Sequence, residues 1–374
     1  MLSINNSNSP EGVQTFNRLI LRKLSKKEHL TFQESEAVLV NLRDGKCTES
    51  FIAAFLMSLI LNGENEQELA AIVKVIRASS KQITPQNLVP LVDNCGTGGD
   101  SLNTFNISTA AALVASSCKK IAVAKHGNKA SSGISGSADF FEYLGYPIQD
   151  EEIKTHLTSI EKYGFGFLYA PLFHPSLRSV ARVRKELGVR TVFNKVGPLC
   201  NPCTNLQAQV IGLSDPKDLE LIPNIVTILG LKKALIVRSS DGMDELSTSS
   251  TNIVKQVMLE DGHYNIKSET LDPLTLGLRK CSIGEFMIKD KLDSIRETLM
   301  VIYGRHPNSP KEDIVVLNSA AALVAGTSGL SFEEALSESL ECIRCGYPQR
   351  LLRDMIKGVG DISKLDSAEK TWEL

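Results

Sequence analysis

Asp93-Asn94-Cys95-Gly96-Thr97-Gly98-Gly99-Asp100 follows a short apolar run, residues 88–92, and a few residues later Asn106-Ile107-Ser108-Thr109 opens a helix. The apolar run reads as a strand entering a Gly-rich turn. Three glycines let a backbone approach a ligand closely and turn its N–H groups inward. Hydroxyls and free N–H groups at a helix start add an anion site. A strand, a Gly-rich loop and a helix N-terminus in this order suit a pyrophosphate. Taken alone, the same pattern also reads as a tight turn with an Asn or Ser cap.

Downstream the pattern repeats. Residues 121–124 read as a second short strand, followed by Lys125-His126-Gly127-Asn128 and then Ser131-Ser132-Gly133-Ile134-Ser135-Gly136-Ser137-Ala138-Asp139. A second small-residue loop after a neighbouring parallel strand sits at the same carboxyl edge of the sheet, where α/β sites form. Lys125 then supplies a cation for phosphate, the plainer alternative being a solvated strand-end lysine. His126 reads equally well as a hydrogen-bonded structural histidine. Residues 165–170, 207–213, 234–237 and 253–259 read as further strands. Helices start at Ala138 and Glu151, one spans 216–229, and three more near 309–325, 331–345 and 348–356 close the chain. The alternation predicts an α/β fold with a mainly parallel sheet flanked by helices. Asp241-Gly242-Met243-Asp244-Glu245 follows the strand at 234–237. Carboxylates at a strand end, facing phosphate loops, suit Mg²⁺, which takes one or two carboxylates plus substrate phosphates and waters. An ordinary Asp-Gly turn is the alternative.

Upstream, residues 13–80 are helical in pattern. Phe16, Leu19, Ile20 and Leu24 form one stripe, and Phe51, Ile52, Phe55, Leu56, Leu59 and Ile60 belong to another helix, which Gly63 stops. Thr31 and Asn65 stand as helix starts. This predicts a smaller all-α domain over 1–85, beside an α/β domain over 86–374. The chain has 374 residues, 42% of them hydrophobic, and a net charge of −2. That balance gives no electrostatic case for nucleic acid or an anionic membrane. The polar start lacks an apolar leader and no run is long enough to span a bilayer, so a soluble cytoplasmic protein is expected. The eight cysteines read as thiols. Cys200 with Cys203, and Cys342 with Cys345, form C-x-x-C pairs that could share a zinc. Buried or incidental thiols are the reading preferred here.

Taken together, GTGGD, NIST, KHGN, SGSAD, the stretch FGFLYAPLFHPSLRSVARVRKELGVRT, GPLCNP and DGMDE resemble the anthranilate phosphoribosyltransferase family in order and spacing. IAAFLMSLILNGE resembles its helical domain. The resemblance implies a nucleoside phosphorylase/phosphoribosyltransferase-like fold: a helical domain, joined by helices from about 175–200, beside the α/β domain. It implies a homodimer paired through the helical domain. It also implies transfer of the phosphoribosyl group of phosphoribosyl pyrophosphate to the amine of anthranilate. Gly96, Gly99, Asp100, Thr104, Asn106, Ile107, Ser108 and Thr109, with Lys125 and Ser137, would line the phosphoribosyl pyrophosphate site. Gly96, Asn128 and Arg184 would face anthranilate. Ser108, Asp244 and Glu245 would hold two Mg²⁺ ions. No general base is nominated, because an aromatic amine attacks in its neutral form. Ser101, Gly133, Ile134, Arg238, Ser239 and Cys200 depart from the family's usual residues. They keep open a paralogue with another acceptor, nucleoside phosphorylase-like, or a non-catalytic nucleic-acid binder. The region around His174 and Arg184 argues against the first; intact Lys125, Asp244 and Glu245 argue against the second.

Overall fold

The structure, a computed structural model, describes residues 9–86, 88–130 and 133–374. Ser131 and Ser132 of the second small-residue loop lie outside the described residues, as do the first eight positions. Four helices come first: α1 (Pro10–Ser25), α2 (Phe32–Arg43), α3 (Glu49–Asn62) and α4 (Glu66–Ala78). Thr31 and Asn65 cap α2 and α4 in capping boxes with Glu34 and Glu68, each side chain answering the other's backbone N–H. Gly63 ends α3 at φ 74°.

The chain then alternates through β1 (Leu91–Gly96), α5 (Ile107–Ser117), β2 (Ala122–Gly127), α6 (Ser137–Tyr143), α7 (Ile153–Tyr163), β3 (Phe165–Tyr169) and α8 (Ala170–Phe173). Next come α9 (Arg178–Leu187), α10 (Val192–Val196), β4 (Ala208–Gly212), α11 (Asp218–Ile228), β5 (Lys233–Ser239), β6 (Asn252–Glu260) and β7 (His263–Leu271). Helices α12 (Lys291–Ile302), α13 (Pro310–Gly326), α14 (Phe332–Arg344), α15 (Tyr347–Val359) and α16 (Ile362–Trp372) complete the chain.

The sheet has seven strands in the order β3-β2-β1-β4-β5-β6-β7. Strands β1 to β5 are parallel, and β6 and β7 are antiparallel additions at one edge. Strand β1 lies between β2 and β4, so the loops leaving β1, β2 and β4 share the carboxyl edge where the strand order reverses. The expected mainly parallel sheet is present, with differences in detail. Strand β1 starts at Leu91 rather than at 88 and runs on to Gly96, because its ladder with β4 extends to Gly96 opposite Gly212. Strand β7 is an addition to the expected set: most of its side chains are polar and exposed, and Ile266 is exposed too, so the apolar alternation is weak. Its signal is the Asp261-Gly262 turn, with φ of 48° and 80°, a hairpin geometry for which Asp-Gly is preferred.

Alternate residues of β5 serve two cores. Leu235 and Val237 join the cluster under α5 and α13, while Ala234 and Ile236 face the other side. That second cluster is continuous with the helical bundle. It takes in Ile20, Leu39, Phe55 and Ile72 from α1–α4, Val180 and Val183 from α9, Val192 and Val196 from α10, and Ile222 and Val226 from α11. Lys195 of α10 crosses the same boundary. Its ammonium lies 3.2 Å from Glu64 and 3.0 Å from Asp218, both nearly buried. Removing a cation from buried carboxylates leaves charge without compensation. Lys195→Ala should therefore lower unfolding free energy by about 2–4 kcal/mol, the buried-pair cost of about 3–5 kcal/mol discounted because the lysine is partly exposed. Urea denaturation would measure this, and a change under about 0.5 kcal/mol, the scatter of an ordinary surface substitution, would refute it.

Candidate active site

A cleft of about 520 Å³ opens at the carboxyl edge of the sheet. Its walls bring together Gly96, Gly99, Asp100, Thr104, Asn106, Ser108, Thr109, Lys125, Asn128, Ser137, Arg184, Asp244 and Glu245. Ile107 is the exception among the residues expected there. Its side chain is 0% exposed and belongs to the core under the sheet. In the first turn of α5 the polar neighbours face the cleft, and the helical period turns Ile107 inward.

The loop after β1 is shaped from both sides. Gly98, Gly99 and Ser101 have positive φ of 64°, 75° and 61°. The carbonyls of Thr97 and Gly98 are held by Arg190, at 3.2 Å for Thr97, and Ser214 Oγ donates to the Gly98 carbonyl at 2.8 Å. The N–H groups of Gly99, Asp100 and Ser101 have no protein acceptor among the described residues, which leaves a nest of donors suited to an anion. Thr104 pairs with Met287 in an isolated bridge, and the Phe105 N–H donates to the Phe286 carbonyl at 3.1 Å, anchoring the far end of this loop.

Across from it, the loop after β5 lies directly on the strand ends. A Cβ on Gly96 would meet the Asp244 carboxylate, and one on Gly212 would meet the Asp244 carbonyl. Asp244 Oδ2 accepts the Gly98 N–H at 2.6 Å, and Glu245 Oε1 accepts the Ser108 N–H at 3.2 Å. Asp241 does something else. It accepts from the hydroxyls of Ser239, Ser247 and Ser249 and so shapes its own loop. Lys125 is buried at the end of β2. Its Nζ donates to Asn94 O at 2.8 Å and Asn94 Oδ1 at 3.1 Å, and stands 3.4 Å from Ser108 Oγ.

Desolvation and the charge of Asp100 push Asp244 up to about 7. Desolvation, with Asp244 and Asp100 nearby, holds Glu245 well above the usual carboxylate range. Desolvation also lowers Lys125. The carboxylates of Asp244 and Glu245 and the hydroxyl of Ser108 offer oxygen ligands, a set that fits Mg²⁺, and a bound cation would favour their ionised forms against the desolvation. Among the described residues no group of three or more His, Cys, Asp or Glu side chains is placed to hold a metal, so a cation here would draw further ligands from phosphate and water.

Arg184 stands at the other end of the cleft. Its Nη2 donates to Asn194 Oδ1 at 3.0 Å and its guanidinium lies 5.5 Å from the Phe193 ring centroid. Its buried Nε has no partner among the described residues. A smaller chamber of about 170 Å³ continues from it, lined by Asn128, Ala170, Pro171, Leu177, Phe193 and the two buried histidines. His126 Nε2 and His174 Nε2 are 3.2 Å apart. One ring donates and the other accepts, so the accepting ring is neutral. Burial holds His174 near 4 and His126 well below its ordinary value. The structural reading of His126 is thus the one the geometry favours. Gly133 faces open space, and Ile134 packs against the main core.

Sequence reasoning does not single out Arg190, Phe193, Asn194 or Gly212. A glycine at the end of a strand is the available signal for Gly212; the other three act through contacts that only the fold creates. The C-x-x-C pairs do not meet. Cys200 belongs to the bundle core, Cys203 to a separate cluster, and Cys342 lies beside Cys118.

Residues 88–348 match the profile described as glycosyl transferase family, a/b domain, and residues 18–80 match the helical bundle domain of the same family. The chain is 39% identical over 346 residues to an anthranilate phosphoribosyltransferase of Nitrosopumilus maritimus, covering 92% of this chain and 97% of that one. The chain belongs to the anthranilate phosphoribosyltransferase family. A Clostridium beijerinckii anthranilate phosphoribosyltransferase is also 39% identical, over 86% of this chain and 93% of that protein. The crystal structure of the Thermus thermophilus family member superposes with a TM-score of 0.80 at 33% identity, covering 93% of this chain and 99% of that one. The Saccharomyces cerevisiae member, solved in complex with PRPP and Mg, gives a TM-score of 0.81 at 24% identity over 94% and 98% of the two chains, and so shares the fold.

The histidine pair yields a pH dependence. A histidine held near 4 when folded, against 6.5 when free, supports the fold above pH 6.5. That support is lost as pH falls from 6.5 toward 4, because the unfolded chain then binds the extra proton. The melting temperature of wild type should fall over this window more steeply than that of His174→Gln. Parallel slopes in thermal melts would refute the assignment.

Proposed function

We propose that the chain transfers the 5-phosphoribosyl group of phosphoribosyl pyrophosphate to the amine of anthranilate and releases pyrophosphate, the second step of tryptophan synthesis from chorismate. One observation carries this reading. A phosphate-type donor nest with Lys125 and an acidic pair shares a cleft with a half-buried arginine whose Nε has no partner among the described residues. The first set suits a leaving pyrophosphate, and the second suits an aromatic carboxylate.

In this reading Gly96, Gly99, Asp100, Thr104, Asn106, Ser108, Thr109, Lys125 and Ser137 line the donor. The N–H groups of Gly99 to Ser101 orient the pyrophosphate. Ser108, Asp244 and Glu245 would hold Mg²⁺, two ions in all. When bound, that charge offsets what develops on the departing pyrophosphate. Arg184 takes the acceptor carboxylate in a charge-assisted bond, with Phe193 beneath its guanidinium, while Asn128 and Gly96 border the acceptor. The cleft's main task is then to hold the neutral amine facing C1 of the ribose. His126 and His174, both neutral, wall the acceptor chamber.

We also propose that residues 1–85 form the dimerising domain, with helices from 175–200 joined to it, and that the enzyme works in the cytoplasm. Leu19 of α1 and Leu61 of α3 are 37% and 76% exposed, apolar surface that a partner would cover. Among the described residues no helix is long and apolar enough to cross a membrane. Light scattering at micromolar concentration should give twice the chain mass; a monomer would contradict the dimer.

Anthranilate fluorescence should decline with phosphoribosyl pyrophosphate and Mg²⁺ present. EDTA, or Asp244→Asn with Glu245→Gln, should abolish the decline while the fold survives. Arg184→Ala should cost about 30- to 150-fold in kcat/KM for anthranilate, equivalent to about 2–3 kcal/mol, and leave the phosphoribosyl pyrophosphate KM nearly unchanged. Full activity in EDTA, or an unaffected Arg184→Ala enzyme, would overturn these roles.

A further inference from the structure

Residues 190–194 run between the two ends of the cleft and touch both. Arg190 follows the glycine that stops α9, Gly188 at φ 65°. Its guanidinium donates to the carbonyls of Thr97 and Gly98 and fills the space that a Cβ on Gly99 would need. It thereby gathers the carbonyl side of the phosphate loop on one flank. The opposite flank, the N–H groups of Gly99 to Ser101, is left to the cleft.

Asn194 serves the other end. Its Oδ1 accepts from the Thr191 backbone N–H at 3.0 Å and from Arg184 Nη2 at 3.0 Å. Both neighbours are donors, which fixes the amide with its oxygen toward them. The same contact starts α10 and orients Arg184. Phe193 lies under the guanidinium, and Lys195, next in sequence, ties the segment to Glu64 and Asp218. Arg184 thus spends Nη2 on Asn194, which fixes the plane of its guanidinium at the cleft wall, and its buried Nε has no partner among the described residues.

We propose that Arg190 and Asn194 are positioning residues, one for each substrate, carried on a single strut. Arg190 keeps the phosphate loop in its donor-binding shape. Asn194, with Phe193, aims Arg184 at the acceptor carboxylate. The segment joins the two subsites, so their separation is set by five consecutive residues rather than by the long path through the sheet. This rests on the transferase reading above.

Steady-state kinetics with each substrate varied in turn tests it, alongside thermal melts. Arg190→Ala should raise the phosphoribosyl pyrophosphate KM by about tenfold and leave the anthranilate KM within about twofold. Arg190→Lys, which still donates to a carbonyl, should recover part of the loss. Asn194→Ala should show the reverse split, about tenfold on anthranilate. Asn194→Asp keeps both acceptor bonds and preserves the melting temperature. It should still weaken anthranilate, because its charge competes for Arg184. In an Arg184→Ala background, Asn194→Ala should add less than about twofold, while Arg190→Ala keeps its full effect. An undiminished Asn194→Ala effect in that background, or equal losses on both substrates from either alanine variant, would overturn the proposal with the transferase reading intact. A wild type that leaves anthranilate fluorescence unchanged overturns both.

Discussion

Gly96 and Gly212 face each other at the last register position of β1 and β4, and neither has room for a Cβ. This is a steric constraint on two positions, and the site is built on it. The loop after β5 can lie flat on the carboxyl edge only because both strands end in hydrogen atoms. Lying flat brings Asp244 to the Gly98 N–H and Glu245 to the Ser108 N–H. Ser108 is bonded through its carbonyl to Asn94, and Asn94 holds Lys125. One chain of contacts therefore links the loops of β1, β2 and β5 to the start of α5. A side chain at either glycine would lift the acidic pair away from the phosphate loop.

The layering was legible from the alternation of apolar runs with Gly-rich turns, and the bundle from helical stripes with capping residues such as Thr31 and Asn65. The polar members of the site were legible as well, since small residues and charges clustered after successive strands. Ile107 shows where that reading stopped. Its neighbours in Asn106-Ile107-Ser108-Thr109 face the cleft, but a motif read as a unit does not say which side chain turns to the core. Helix α16 buries few side chains, among them Leu365 and Ala368, so its apolar period was too thin to see. Helix α12 is an addition to the expected helices, although Ile295, Leu299 and Ile302 form a clear stripe behind its Asp290 cap. Arg190 and Asn194 gave no local signal, because each acts on a residue distant in the chain or on the next turn.

The departures from the family pattern acquire physical meaning in place. Ser101 occupies a left-handed backbone position at φ 61°, where glycine is free of the penalty of about 1–2 kcal/mol that a Cβ brings. The loop keeps that shape through the stitching of residues 103–105 to 286–288 and the Arg190 contacts. Ile134 trades a polar loop contact for packing against the core. Ser239 contributes its hydroxyl to Asp241 and Met243, which stiffens the acidic loop from within.

The bundle core is not finished by the bundle. Val180, Val183, Val192, Phe193, Val196 and Leu199 pack into the same cluster as the residues of α1 to α4, and so does one face of β4 and β5. During synthesis the first four helices leave the ribosome well before these partners exist. The helices pack on one another, α2 on α4 and α1 on α3, but the part of their apolar surface that meets α9, α10 and the central strands has no cover until those are made. Domains usually fold as units, the N-terminal one first. Here the core of the first-made segment is completed only by residues from the middle of the chain, so its N-terminal helices reach their final packing after the central strands have been made.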